Sequence, residues 1–158
     1  MLSEKIIDYI IAIGVPAVIS FIITPVIIAV APKIGAMDVP KDSRRVHDHP
    51  IPRLGGLGIF IAFLVGVLLF VDIDYQIQGI LIGTVIIVII GVIDDIVSLP
   101  AMLKFVVQIC AAVVVVLHGV KIDIVSIFFH NSDFLVLGVL AIPITVLWIV
   151  GVTNDVNL

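Results

Sequence analysis

Residues 85–99 read VIIVIIGVIDDIVSL and decide the fold class of this chain. The nine residues up to Ile93 are apolar or glycine, and two adjacent carboxylates, Asp94 and Asp95, follow them directly. A transmembrane helix needs about 20 predominantly apolar residues. Charged side chains are costly inside a bilayer, whereas a helix end that reaches water carries them cheaply. The stretch therefore predicts a membrane-spanning helix that ends at a polar surface.

The composition of the whole chain is also that of a membrane protein. Of its 158 residues, 62% are hydrophobic and 13% are charged, whereas soluble domains contain about 45–50% apolar and about 25% charged residues. The single cysteine, Cys110, excludes an intrachain disulfide and is expected to be a small buried hydrophobe. The net charge of −4 carries little information, because the placement of charges matters more than their sum in a membrane protein. No nucleic-acid partner is expected.

Five apolar runs predict an all-α polytopic membrane protein, with five transmembrane helices in a single integral membrane domain over residues 1–158. The approximate bounds of the runs are 6–31, 54–71, 77–93, 102–117 and 134–152. Pro16 and Pro25 are expected to kink the first helix. Between the fourth and fifth runs, a weak alternation at Ile122, Ile124 and Ser126 predicts a short strand or β-hairpin outside the membrane.

The basic residues predict the orientation of these helices. Six of the eight lysines and arginines lie on one side of the membrane in this arrangement: Lys33, Lys41, Arg44, Arg45 and Arg53 between the first and second runs, and Lys104 after the third run. Because loops rich in lysine and arginine stay in the cytoplasm, both connections are predicted to be cytoplasmic. The N-terminus is then outside and the C-terminus inside, so that Asp94, Asp95 and the final segment GVTNDVNL share the cytoplasmic face.

The first cytoplasmic loop, residues 33–59, reads KIGAMDVPKDSRRVHDHPIPRLGGLGI. Its basic residues are explained by a role as a topology anchor. Gly55 and Gly56 open the second helix, where unpaired N–H groups and the positive end of the helix dipole favour an anion. Arg44, Arg45 and Arg53 can add charge-assisted contacts to phosphate. Two interpretations stay open, a phosphate-binding loop and a loop shaped only by its turn residues.

The carboxylate pair is typical of a metal–phosphate site. Two close carboxylates repel each other, and a cation relieves that repulsion. Mg²⁺ prefers oxygen ligands and typically uses one or two carboxylates together with substrate phosphates. Asp94 and Asp95 are therefore candidate metal ligands, the other interpretation being a helix end that simply reaches water.

Further polar residues fall on the same predicted side of the membrane: Lys104, Gln108, Thr153, Asn154, Asp155 and Asn157. Lys104 and Gln108 are four residues apart and share a helix face, as do Thr153 and Asn157. Arginines and glycines in the first loop, carboxylates with a lysine, and terminal amides are thus three polar clusters on one surface. Together they predict a magnesium–diphosphate site at a membrane surface.

Three motifs resemble those of the polyprenyl-phosphate N-acetylhexosamine-1-phosphate transferases, in glycosyltransferase family 4. The first loop is similar to D-x-P-x-x-R-[KR]-x-H-x-x-P-x-P-R-x-G-G, with one extra residue before Arg44 and each later position filled, including His47. Residues 91–108, GVIDDIVSLPAMLKFVVQ, resemble D-D-x-x-x-L-x-x-x-x-K-x-x-x-Q. Residues 148–158, WIVGVTNDVNL, resemble T-N-A-x-N-L. The set looks most like the bacterial undecaprenyl-phosphate N-acetylglucosamine-1-phosphate transferase branch.

The resemblance implies a reaction at the cytoplasmic face of the bacterial plasma membrane, in cell-envelope glycan biosynthesis. A polyprenyl phosphate attacks the β-phosphorus of a UDP-sugar and gives a lipid-diphosphate-sugar and UMP, with Mg²⁺, or Mn²⁺ as an alternative, as cofactor. Asp94, Asp95 and Lys104 are implied as catalytic residues. The implied substrate-binding residues are Arg44, Arg45, His47, Arg53, Gly55, Gly56, Gln108, Thr153, Asn154 and Asn157.

The chemistry of the lipid phosphate limits what Asp94 has to do. A phosphate monoester has a second pKa of about 6 and is mostly dianionic at neutral pH. Asp94 is therefore expected to orient the attacking phosphate rather than deprotonate it, and Asp95 to support the metal or Lys104.

Two features depart from the family pattern. Asp155 stands where T-N-A has a small apolar residue, and a third carboxylate can add a metal ligand or repel the diphosphate. The sequence ends at Leu158, where the family continues with an I-D-G-x-D-G run and further spans. The resemblance is therefore to an N-terminal half, and this chain alone is expected to be inactive or weakly active. Its protein partner is then the missing C-terminal half or a second copy, and Gly79-x-x-x-Gly83 offers one close-packing face.

Two other functions stay open at this point. One is a naturally short, non-catalytic membrane protein that binds lipid phosphate. The other is a small cation carrier whose aspartates line a path, although transporter sites usually lie near the middle of the membrane rather than at a helix end. Magnesium-dependent binding of lipid phosphate would separate the carrier from the other two.

Overall fold

A computed structural model describes residues 2–38, 50–126 and 134–156 of the chain. Within these ranges the protein forms five α-helices: α1 (Leu2–Val30), α2 (Gly55–Phe70), α3 (Tyr75–Val97), α4 (Ala101–Leu117) and α5 (Ala141–Val156). Two short antiparallel strand pairs accompany them: β1 (Met37–Asp38) with β2 (Ile51–Pro52), and β3 (Ile124–Ser126) with β4 (Phe134–Val136). The predicted all-α polytopic membrane fold is confirmed, and so is a short hairpin after α4.

Three helical segments in the described residues are long and apolar enough to cross a membrane: Ile6–Ile34, Tyr75–Val97 and Gly138–Asp155. The other two helices are shorter, with 16 residues in α2 and 17 in α4. At a rise of about 1.5 Å per residue, both fall somewhat short of a hydrocarbon core of about 30 Å. The five span limits and their orientation stay predictions.

Several helix ends differ from the predicted limits for local reasons. α1 continues through Pro16 and Pro25 and is followed by a 3-10 turn, Ala31–Ile34. α5 begins seven residues after the start of the fifth predicted span, because Phe134–Val136 pair with Ile124–Ser126 as strand β4 instead. A second 3-10 turn, Gly138–Leu140, joins that strand to α5.

The chain divides into two compact units, Met1–Asp72 with Val88–Leu99, and Ile73–Ile87 with Pro100–Leu158. In the first unit α1 packs along α2. Gly58 of α2 approaches Ile27 and Thr24, and Gly66 approaches Pro16 so closely that an added Cβ would lie 2.6 Å from Pro16 Cγ. With the buried Ala62 between them, these residues form a small-residue stripe at a spacing of four, which lets two membrane helices come close together.

The first unit also holds an apolar cluster next to the first loop. Ile27, Ala31, Ala36 and Leu54 are buried there, and Val92 of α3 packs against them. Farther along α1 and α2 lies an apolar groove of about 470 Å³, lined by residues such as Ala17, Phe63 and Phe70. The cluster fixes the base of the β1–β2 pair, and thereby the start of α2.

In the second unit α4 packs against α5. Gly79 and Gly83 of α3 face α4, where the Cβ atom of an added side chain would clash with His118 and Val115. Thr145 of α5 is 3% exposed; its hydroxyl donates to the Ala141 carbonyl at 2.6 Å and accepts the Ile122 N–H at 2.8 Å. The predicted close-packing face at Gly79-x-x-x-Gly83 is thus used within the chain.

Small side chains dominate the buried positions of both units. Within the part of the chain that the structure describes, six of the buried hydrophobic residues are alanines: Ala31, Ala36, Ala62, Ala111, Ala112 and Ala141. Among the described residues no large side chain is fully buried, whereas Phe21 and Trp148 are exposed. Such a distribution suits helices surrounded by lipid, where large apolar side chains face outward. Cys110 is exposed as well, so the expectation of a buried cysteine is wrong.

Replacing Gly83 by alanine is expected to destabilise the protein, because the added Cβ would lie 2.5 Å from Val115 Cγ2 and 3.2 Å from the Ala111 carbonyl oxygen. Overpacking of this kind typically costs about 1–3 kcal/mol. The matched control is Gly91→Ala on the same helix, where a Cβ meets nothing within 4 Å and alanine favours the helix by up to about 1 kcal/mol. In thermal unfolding in detergent, the unfolding midpoint should fall for Gly83→Ala and rise for Gly91→Ala, relative to the unsubstituted protein. Equal shifts would contradict the packing of α3 on α4.

Candidate functional site

The first polar cluster is built on the β1–β2 pair. Met37 pairs with Pro52 and Asp38 with Ile51, so that Arg53 lies diagonally across this short ladder from Asp38, beside Ala36. An Arg53 guanidinium nitrogen donates to Asp38 Oδ1 at 2.7 Å, and the Arg53 backbone N–H donates to the Ala36 carbonyl at 3.1 Å. Both the backbone and the side chain of Arg53 are therefore held in place just before α2 begins.

Asp94 and Asp95 lie in the last turn of α3, which ends at Val97. The helix therefore extends four residues beyond the predicted span, because its backbone hydrogen bonds continue where the apolar run stops. No basic residue occupies this last turn. The C-terminal end of a helix carries partial negative charge and disfavours carboxylates, so two carboxylates in this position create a local demand for a cation.

Asp94 also shapes the chain after the helix. Its Oδ1 accepts the Leu99 backbone N–H at 2.7 Å, and its carbonyl oxygen accepts the Ser98 N–H at 2.8 Å. Ser98 has a φ of 50°, a left-handed conformation that often ends helices but is uncommon for residues other than glycine. The Asp94 side chain therefore caps the turn that carries the carboxylate pair.

The structure brings Arg53 and the carboxylate pair into one unit. Partial burial disfavours the charge of Asp95, and the nearby charges of Arg53 and Asp94 act on it as well, the first favourably and the second unfavourably. The Arg53–Asp38 pair is partly exposed, with 34% and 38% of the two side chains accessible. Arg53, Asp94 and Asp95 thus form one charged group at the end of α3.

The described residues offer a cation two adjacent carboxylates at this place. No group of three or more His, Cys, Asp or Glu side chains is arranged to hold a metal within residues 2–38, 50–126 and 134–156. This donor set does not fit a metal that requires a full cage of protein ligands. It does fit Mg²⁺, which often takes only one or two carboxylates and completes its shell with water and substrate phosphate.

The second unit brings together two other predicted site residues. Gln108 of α4 is 5% exposed, and its Oε1 accepts a hydrogen bond of 2.7 Å from Asn154 Nδ2 of α5. The same Asn154 nitrogen donates to the Val150 carbonyl at 2.9 Å. The Thr153 hydroxyl donates to the Ile149 carbonyl at 2.7 Å. These polar side chains are therefore fixed by partners within α4 and α5.

The remaining predicted site residues differ in what the structure says of them. Gly55 and Gly56 form the first turn of α2, and a Cβ on either would meet nothing within 4 Å, so packing alone does not explain these glycines. Lys104 lies in the first turn of α4, where its N–H donates to the Pro100 carbonyl at 3.3 Å. Arg44, Arg45, His47 and Asn157 lie outside the described residues.

Two pairings had no signal in the sequence. Asp38 and Arg53 are 15 residues apart, and Gln108 and Asn154 are 46 residues apart. Each of these residues belongs to a family-like motif, but neither periodicity nor spacing links one motif to another. Only the antiparallel register of β1 with β2 and the packing of α4 on α5 bring the partners together.

Comparison with known proteins gives concordant matches. The sequence model of glycosyl transferase family 4 matches residues 77–158. The chain is 42% identical over 159 residues to the probable undecaprenyl-phosphate N-acetylglucosaminyl 1-phosphate transferase of Bacillus subtilis (strain 168), with 100% of this chain and 44% of the relative covered. It is 31% identical over 151 residues to the decaprenyl-phosphate N-acetylglucosaminephosphotransferase of Mycobacterium tuberculosis (strain CDC 1551 / Oshkosh), with coverages of 89% and 37%.

The protein of the same name from Mycolicibacterium smegmatis is 32% identical over 151 residues, again with 89% of this chain and 37% of the relative covered. No solved structure matches significantly. The chain therefore spans less than half the length of these curated relatives. Since the family match nevertheless covers slightly more than half of the chain, including Asp94, Asp95 and Lys104, the chain belongs to glycosyl transferase family 4.

Proposed function

We propose that this protein takes part in the transfer of N-acetylhexosamine-1-phosphate from a UDP-sugar to a polyprenyl phosphate. The observation that carries the proposal is the pair Asp94–Asp95 in the last turn of a membrane-length helix, with Arg53 near enough for its charge to act on Asp95. The relatives support the lipid class, since one is named for undecaprenyl phosphate and others for decaprenyl phosphate. The product feeds cell-envelope glycan synthesis.

In this reaction a lipid phosphate oxygen forms a bond to the β-phosphorus of the UDP-sugar, and the bond from that phosphorus to the bridging oxygen breaks. The bridging oxygen leaves with UMP, and the lipid keeps the sugar through a diphosphate. The attacking phosphate is already mostly dianionic at neutral pH, so the protein has little need of a general base. Its task is to align the two phosphates and to balance their charge.

The described residues have roles that suit this task. Arg53, fixed by Asp38, presents a planar donor group that binds phosphate oxygens well. Asp94 holds the turn after α3 and orients the site. Lys104, close to the start of α4, supplies positive charge for a phosphate or a carboxylate. Arg44, Arg45, His47 and Asn157 complete the proposed substrate-binding set.

Mg²⁺ is the proposed cofactor, with Mn²⁺ as the alternative, and Asp94 and Asp95 would hold it. When bound, it would neutralise the diphosphate and stabilise the charge that develops on UMP as it leaves. The chain's own contribution is to place two carboxylates at the negative end of α3, where a cation is favoured. The proposed location of this site is the cytoplasmic face of a bacterial plasma membrane, and the basic first loop supports that side of the membrane.

A second function is favoured by Asp155. This exposed carboxylate follows Asn154 directly on α5 and adds a negative charge to the polar terminus of that helix. A diphosphate would be repelled there unless a cation accompanied it. A protein that binds lipid phosphate without transferring a sugar is the alternative that this residue supports.

Replacing Asp95 by asparagine is expected to lower kcat by about 100-fold or more, the usual loss when one preorganised charge is removed from such a site. The assay uses membranes that contain the product of the whole reading frame to which residues 1–158 belong. The substrates are undecaprenyl phosphate and radiolabelled UDP-N-acetylglucosamine. UMP and the labelled lipid are measured with Mg²⁺, with Mn²⁺ and after chelation. Chelation should abolish transfer and Mg²⁺ should restore it.

The matched control is Asp72→Asn, in the exposed connection between α2 and α3, which should leave transfer unchanged. Metal-dependent binding of undecaprenyl phosphate without any UMP would support the second function instead. If neither transfer nor binding is detected, both functions are wrong.

Arg53→Gln is expected to raise KM for the lipid phosphate about tenfold, because a charge-assisted contact to phosphate is lost. Its effect on thermal stability should be small, about 0–1 kcal/mol, since the ion pair with Asp38 is partly exposed. The control is Lys121→Gln, which breaks the exposed pair with Asp123 at 3.2 Å and should change neither quantity much. Steady-state kinetics measure KM for the lipid phosphate, and thermal unfolding measures stability. Equal KM values for the two variants would argue against a phosphate contact at Arg53.

A further inference from the structure

The hydrogen bond between Gln108 and Asn154 links two helices through a nearly buried amide. Gln108 is 5% exposed, whereas Asn154 is an exposed residue near the end of α5. The contact between Asn154 Nδ2 and Gln108 Oε1 is 2.7 Å long. Gln108 is therefore the inner member of the pair, and Asn154 is the member that a substrate can reach.

The backbone around Asn154 determines how its amide is oriented. The Val150 carbonyl oxygen can only accept a hydrogen bond, so the Asn154 atom that lies 2.9 Å from it is the amide nitrogen. The same nitrogen then needs an acceptor as its second partner, which Gln108 Oε1 supplies. With both hydrogens of Nδ2 engaged, Asn154 has only its carbonyl oxygen, Oδ1, for a substrate.

The contribution to stability does not by itself explain the hydrogen bond between Gln108 and Asn154. α4 packs against α5, and the two helices bury the apolar residues Ala111, Ala112, Val115 and Val150, so apolar packing already contributes to their stability. A buried amide contributes little net stability, but it costs free energy if its partner is removed. What the Gln108–Asn154 bond adds is a fixed rotamer for an exposed side chain.

We infer that Gln108 is a positioning residue, which acts through Asn154 by holding that side chain with its oxygen toward the substrate. This inference rests on the proposed transferase function. The group that Asn154 meets on the substrate is then a hydrogen-bond donor, an N–H or an O–H, and not a bare phosphate oxygen. A direct contact between Gln108 and the substrate would instead have to use Gln108 Nε2 as a donor.

Two substitutions of Gln108 separate these roles. Gln108→Met keeps the length of the side chain and removes both amide atoms, whereas Gln108→Glu keeps an acceptor oxygen and removes the donor. If Gln108 acts through Oε1, Gln108→Met lowers kcat/KM for the UDP-sugar about tenfold, and Gln108→Glu recovers most of that loss. If Gln108 acts through Nε2, both variants are impaired equally.

The decisive measurement is a double-mutant cycle with Asn154→Ala in the transfer assay, made on the product of the complete reading frame. A residue that acts only through Asn154 adds little to the loss caused by Asn154→Ala, so Gln108→Met should change kcat/KM less than about twofold in that background. Gln78→Met, an exposed position in the first turn of α3, is the matched control for the same chemical change. Rates are normalised to folded protein, and Gln108→Ala replaces Gln108→Met if the latter does not fold.

Each outcome has a distinct meaning. Recovery by Gln108→Glu together with a non-additive cycle supports the inference. Equal impairment of the two Gln108 variants, additive losses, or an Asn154→Ala variant with unchanged kcat/KM overturns it while the transferase function stands. Absence of transfer by the unsubstituted protein overturns the proposed function, and the inference with it.

Discussion

Close contact between helices at small residues is the constraint on which this structure depends. Lipid is as apolar as a leucine side chain, so burial of large apolar groups cannot hold the helices together, and shape complementarity has to do so. Gly58, Ala62 and Gly66 let α2 approach α1, and Gly79 and Gly83 let α3 approach α4. Large residues such as Phe21 and Trp148 are left to face outward. With little room for relaxation at these contacts, the helix ends that carry polar residues are held in defined places.

Local signals in the sequence were sufficient for the number of helices, but not for all of the helix ends or for the contacts between helices. The apolar runs predicted five helices, and the described residues form five α-helices. α3 continues through Asp94 and Asp95, because its backbone hydrogen bonding continues where hydropathy no longer reports it. Phe134–Val136 belong to the fifth apolar run but pair with β3, so that α5 begins only at Ala141. Hydropathy measures how apolar the side chains of a stretch are, and it does not distinguish an apolar strand from an apolar helix.

The sequence predicted a set of candidate site residues but not their arrangement. Motif resemblance named Arg53, Gln108 and Asn154 as substrate-binding residues without distinguishing their positions. The structure separates them: Arg53 is partly exposed and paired with Asp38, whereas Gln108 is nearly buried behind Asn154. Such distinctions depend on burial and on partners far away in the sequence, and a motif of fixed spacing contains neither.

The polar residues share one property that bears on catalysis by positioning. Arg53 is held by Asp38, the Asp94 carboxylate by the Leu99 N–H, and Asn154 by Gln108 and Val150. A free side chain of this kind loses about 0.5–1.5 kcal/mol of conformational entropy when a ligand immobilises it. Here folding has already fixed the side chains, so less of that cost falls on substrate binding. For a phosphoryl transfer in which the nucleophile is already ionised, such preorganisation is the main contribution that side chains can make. The partners that hold the charged and polar groups should therefore influence transfer even though they touch no substrate, and Gln108 is the described residue where burial makes that role most distinct.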